Sequence, residues 1–178
     1  MDEYVSNLNQ GGSLRLELER TRVAYQALLD EMNEQSYHLP SINPAWRIGE
    51  LLYHIISAVR FLPQDVRMMR CGRMITPPAW LYNFFNVWFT RLAGRRQNCS
   101  SLAAEYDRRH EVVLALLESI KEEEWGLSAD YPEVGGAMDG GRRTLADMFH
   151  YLTLHFEEHA AEIHQSMAAS IQEGDSSG

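Results

Sequence analysis

The chain has 178 residues, a formal net charge of -9 and seven histidines, with an isoelectric point near 5.2. That length lets one domain bury a core without a metal or disulfide framework, and the acidic balance argues against nucleic acid or an anionic membrane as partner. Cys71 and Cys99 show no framework or C-x-x-C spacing, and neither a signal peptide nor a membrane-length apolar run is evident, so the expected setting is a reducing cytoplasm.

In chain order, residues 1–12 read as a flexible leader ending at Gly11-Gly12, residues 13–171 as a single domain and 172–178 as a disordered tail. Ser13 is a plausible N-cap for a helix to about Gln35, with a stripe of Leu14, Leu18, Val23, Tyr25, Leu28, Leu29 and Met32. A second helix is expected from Pro44 to Arg70, carrying Trp46, Ile48, Leu51, Leu52, Ile55, Val59 and Leu62, and kinked or divided at Pro63. Thr76-Pro77-Pro78 starts a short aromatic helix, Ala79 to about Leu92, in which Trp80, Phe84 and Trp88 share a stripe beside Leu81, Phe85 and Leu92. Its three readings are core, an apolar pocket wall and a homodimer interface.

Ser100 or Ser101 is expected to cap the next helix, with Leu102, Tyr106, Val113, Leu116, Leu117 and Ile120 inward and an end near Trp125-Gly126. Residues 128–143 read as a Gly- and Asp-rich loop, with no convincing strand in the chain. Arg95-Arg96 and Arg142-Arg143 read as solvated loop charge, with an acidic ligand as the weaker alternative. Thr144, with Asp147 three residues on, opens a last helix to about Ile171. Four long amphipathic helices predict an all-α four-helix bundle with one extra short helix between the second and third.

Chemistry concentrates in the last helix. His155 and His159 are four residues apart, about 40° around the axis, on the same stripe as Leu145, Met148, Phe149, Leu152, Phe156, Ile163 and Met167. Buried imidazoles need partners, and two on one helix suggest a metal. His54 lies near the inner stripe of the second helix, and facing helices about 8–10 Å apart let all three rings reach one ion. Three nitrogen ligands would leave a position open for water or substrate. His38 reads as an ordinary loop residue and His110 as one on a polar face. His150 and His164, each five residues from the paired histidines, are expected at solvent or a helix boundary. His155-x-x-Glu158-His159 formally matches an inverted zinc-protease string, but an all-helical chain offers no sheet to hold a peptide. A di-iron bundle would need two Glu-x-x-His motifs, and the chain has none.

Three segments resemble the DinB-like metalloenzyme family, which includes YfiT-like thiol transferases. They are Trp46 to Ile55 with its Leu-x-His-Ile ending, Thr144-Leu145-Ala146-Asp147-Met148, and His155-x-x-x-His159-Ala160-Ala161-Glu162-Ile163. The resemblance runs from about Leu14 to Met167. It implies an up-down-down-up bundle and a divalent metal, nickel or zinc foremost, held at the positions of His54, His155 and His159. It also implies thiol-dependent transfer or detoxification of a small electrophilic substrate, with a low-molecular-weight thiol as co-substrate.

Glu50, Tyr53 and Glu158 are candidates to orient an imidazole or line the pocket. The competing readings are a non-enzymatic bundle binding a small molecule or protein, its metal structural or absent, and histidines kept only as packed core.

Overall fold

A computed structural model describes residues 9–72, 79–131 and 140–175, with the side chains of 79–86 and 173–175 outside that description. The elements are α1 (Gln10–Asp30), α2 (Glu34–His38), α3 (Ile48–Arg70), α4 (Ala79–Gly94), α5 (Cys99–Glu118), a 3-10 turn at Glu122–Glu124, β1 (Ser128–Tyr131), β2 (Gly141–Thr144) and α6 (Leu145–Asp175). None of these helices is long and apolar enough to cross a membrane.

The four long helices close a ring in which α1 packs on α5 and α6, and α3 packs on the same two. Pairings give their directions. Glu17–His150, Thr21–Thr153 and Glu31–His164 rise together along α1 and α6, whereas Arg15–Glu118, Arg22–Asp107 and Gln26–Ala103 run opposed along α1 and α5. Inside the ring, Tyr25 stacks on Tyr106 with centroids 4.2 Å apart, and its hydroxyl donates to the Leu52 carbonyl at 3.1 Å. Burial of the phenol pushes its pKa well up. Ile48, Leu51, Leu52, Ile55, Leu62, Leu102, Leu145, Met148, Phe149 and Ile163 complete the core; burying such side chains contributes about 1.5–3 kcal/mol each.

Several local expectations are corrected. Ser13 lies inside α1, which Asn9 caps by accepting from the Gly12 amide at 2.9 Å. Val23 is 61% exposed while Thr21 takes the buried position on the stripe. The first helix ends at Asp30, and Asn33 starts the separate α2 through a reciprocal capping box with Ser36. α3 begins at Ile48 rather than Pro44 and runs undivided through Pro63, with Leu62 before it and Val66 after it in the chain both buried. Asn98, not Ser100 or Ser101, caps α5, with Ser101 as the third residue of its box; that helix stops at Glu118, short of Trp125.

The loop at 128–143 contains an antiparallel pair in register Ser128↔Thr144 to Tyr131↔Gly141. The Thr144–Asp147 box forms as the sequence suggests, with Thr144 N–H on Asp147 Oδ2 at 2.7 Å and Asp147 N–H on Thr144 Oγ1 at 3.2 Å. α6 continues past Ile171 to Asp175. Arg142 and Arg143 belong to β2.

In α4, Trp88, Phe89 and Leu92 are exposed. The expectations for Trp80, Leu81, Phe84 and Phe85, for the leader before residue 9 and for the tail after 175 fall outside the described residues.

The segment between α2 and α3 sets the site. Ile48 N–H donates to Leu39 O at 3.0 Å and Ser41 N–H to Trp46 O at 3.1 Å, folding residues 39–48 into a tight return. The ring of buried Tyr37 lies directly on the first turn of α3, where a Cβ on Gly49 would fall 2.3 Å from Tyr37 Cε1. Only glycine admits that approach.

Candidate metal centre

His54 comes from the second turn of α3, and His155 and His159 from successive turns of α6, which packs against it. Their ring centroids are 4.6–5.0 Å apart, and one ring nitrogen from each lies within 4.8 Å of the other two. His155 is buried and the other two rings are partly buried. The remaining histidines lie elsewhere. His150 and His164 are exposed and pair with Glu17 and Glu31 at 2.6 and 3.0 Å. His38 ends α2 at the surface. His110 departs from its expected polar face: it is 4% exposed, 3.4 Å from Glu19, and burial lowers its pKa.

Each ring has a different support. His159 Nδ1 lies 3.1 Å from Glu162 Oε2, and facing a carboxylate, which only accepts, it is the donor of that hydrogen bond. Glu162 Oε1 accepts from Ser41 Oγ at 2.7 Å. Trp46 stacks over His54 at 4.9 Å and 23°, and Tyr151 lies 5.2 Å from the His155 ring. His54 and His155 bring their Nε2 atoms to 3.3 Å. Among the described residues neither of their buried Nδ1 atoms has a hydrogen-bond partner.

These features fit a metal better than a packed core. Nitrogens bonded tetrahedrally at about 2.0–2.1 Å from zinc would be about 3.3–3.4 Å apart, the separation found between His54 and His155. Burial and the neighbouring His159 hold the His54 pKa down to about 3; burial and both neighbours hold His155 well below its ordinary value. Both rings are therefore neutral, the form that ligates. Imidazole donors suit zinc, nickel, iron or copper.

The other candidate residues are placed differently. Glu50 does not orient His54: its two oxygens accept from the Arg47 amide at 3.0 Å and Arg95 Nε at 3.1 Å, making it the buried cap of α3. Tyr53 is buried one residue around the helix, against Gly94 of α4. Glu158 is solvent-exposed. The residues that do support the rings are Glu162, Ser41 and Trp46. Glu162 had a readable signal, three positions after His159 on the same helix. Ser41, 121 positions from Glu162, had none.

A helical bundle with three convergent imidazoles near one end of its α3–α6 seam defines the class. The DinB superfamily model matches residues 17–163, and the chain belongs to that superfamily. A crystal structure of an uncharacterised protein from Clostridium difficile 630 superposes with a TM-score of 0.63 over 87% of this chain and 94% of that one, at 15% identity, a likeness of fold. No curated protein matches the chain.

Proposed function

We propose that this protein is a metal-dependent enzyme in which His54, His155 and His159 hold one divalent ion, zinc or nickel, for thiol-dependent transfer to a small electrophile. The observation that carries the reading is the convergence of three imidazoles, two of which bring their Nε2 atoms to 3.3 Å. A bound ion would supply a lowered pKa to a thiol or water in its open position, making a nucleophile at neutral pH.

The chain's own groups do the rest. Trp46 covers one face of His54, keeping water from that side and fixing the ring plane. Glu162 holds the proton on His159 Nδ1, so that Nε2 is presented. Depressed basicity keeps His54 and His155 unprotonated without a base to strip them. Glu50 and Arg95 contribute by anchoring the first turn of α3, one turn before His54.

Two free thiols, Cys71 and Cys99, support a cytoplasmic setting, and the exposed Trp88, Phe89 and Leu92 support a homodimer.

The test is the visible spectrum of the cobalt-substituted protein titrated with a small thiol. A saturable change that is lost in His155→Ala, His159→Ala supports an open catalytic position. A cobalt spectrum indifferent to thiol would favour the alternative, a binding bundle with a structural metal.

A further inference from the structure

Among the described residues, His159 is the one ring of the three tied to a carboxylate, and that carboxylate is tied in turn. Ser41 Oγ–H donates to Glu162 Oε1 at 2.7 Å. One residue on, Ile42 N–H donates to Ser166 Oγ at 2.9 Å, and Ser166 Oγ–H donates to the Glu162 carbonyl at 2.7 Å. The segment that makes these contacts also carries Trp46, which lies against His54 on the other helix. One loop therefore reaches two of the three rings, by hydrogen bonds through Glu162 and by stacking through Trp46.

We infer that Glu162, clamped by Ser41, is the positioning residue of this centre: it locks His159 in the tautomer that offers Nε2 and holds the ring ready for a metal. This rests on the metal reading above and assigns a role to residues outside the three ligands. The chemistry is directional. A carboxylate only accepts hydrogen bonds, so the imidazole facing it must carry its proton on Nδ1. The negative charge also raises the donor strength of the opposite nitrogen, and removing such partners from metal-binding histidines typically weakens binding about 10–100-fold. Side-chain exposures of 12% for His159 and 13% for Glu162 shield the contact from the competition with water that weakens surface pairs. Among the described residues His54 and His155 have no such acceptor at Nδ1, so His159 is the ring whose tautomer a hydrogen bond sets in advance.

The test compares full-length wild type with Glu162→Ala, Glu162→Gln and Ser41→Ala, reading zinc affinity by competition with a chromophoric chelator and the His159 tautomer by 15N NMR of the metal-free protein. The expected result is a 10–100-fold loss of zinc affinity in Glu162→Ala, with a shift of the His159 proton to Nε2. Glu162→Gln keeps an acceptor oxygen and should lose less than tenfold, and Ser41→Ala only a few-fold. A staple that merely secures the loop would lower thermal stability while leaving zinc affinity and tautomer unchanged. That result in the folded variants overturns the inference and leaves the metal centre standing. Failure of the wild type to bind zinc or nickel overturns the metal reading itself. If Glu162→Ala does not fold, the graded response of the other two variants decides the matter.

Discussion

Replacing His155 by leucine should have opposite effects on stability with and without metal. In the metal-free protein, His155 is 5% exposed and its Nδ1 has no partner among the described residues. An unsatisfied buried polar group costs about 1–3 kcal/mol, whereas the single contact given up, Nε2 to Nε2 of His54, is worth about 0.5–1.5 kcal/mol. Leucine also gains from apolar burial at a position that is 5% exposed. The balance favours the variant by about 1–2 kcal/mol in chelator.

With free zinc at a hundred times its dissociation constant, wild type gains about 2.7 kcal/mol, which His155→Leu forfeits with the ligand. Urea unfolding in chelator and in zinc measures both halves. The variant should be the more stable in chelator, and wild type the more stable in zinc. A metal-free variant less stable than wild type by more than about 1 kcal/mol would refute the reasoning and make His155 a satisfied core residue.

Three further outcomes are expected. Burial raises the Asp65 carboxyl from 3.8 to about 6; its stabilising contribution is full below the unfolded pKa and is lost as pH rises to about 6. The ceiling from about 1.4 kcal/mol per unit is about 3 kcal/mol, reduced to about 1–2 kcal/mol by residual hydration. Asp65→Asn should thus match wild type at pH 4 and exceed it by that amount at pH 7 in urea unfolding; a difference independent of pH contradicts the assignment. Gly49→Ala sets a methyl 2.3 Å from the Tyr37 ring and should cost about 1–3 kcal/mol in thermal or urea unfolding; a neutral variant would mean that α2 does not seat there. Light scattering at micromolar concentration should give a dimer mass that Trp88→Lys reduces to a monomer, and a monomeric wild type removes the homodimer reading.

The helices were legible because their apolar stripes survive in the core: all seven side chains assigned to the second helix stripe are buried, and the Thr144–Asp147 box formed where the spacing put it. The caps were less so, since Asn9 competes with Ser13 and Asn98 with Ser100 and Ser101, and tertiary packing chooses between local equals. The hairpin was hidden because β1 and β2 are four residues each, without alternation, and gain their partners only across the intervening chain.

His110 was misplaced by reading its neighbours Arg108 and Arg109, although it follows Tyr106 by four and precedes Val113 by three, squarely on the buried stripe. At the candidate centre, the three histidines could be read because their helical spacing marks a face. Glu50 misled because a buried acid one turn before His54 is also the third residue of a capping box. The supporting contact from Ser41 depends on how the 39–48 return docks on α6, which no local pattern encodes.

The most direct test of the central claim is the metal content of tag-free protein by plasma mass spectrometry, set beside His155→Ala, His159→Ala. The account predicts about one zinc or nickel ion per chain in wild type and none in the variant, with both proteins folded. A metal-free wild type that cannot be reloaded with either ion, or a variant that keeps its metal, would contradict it.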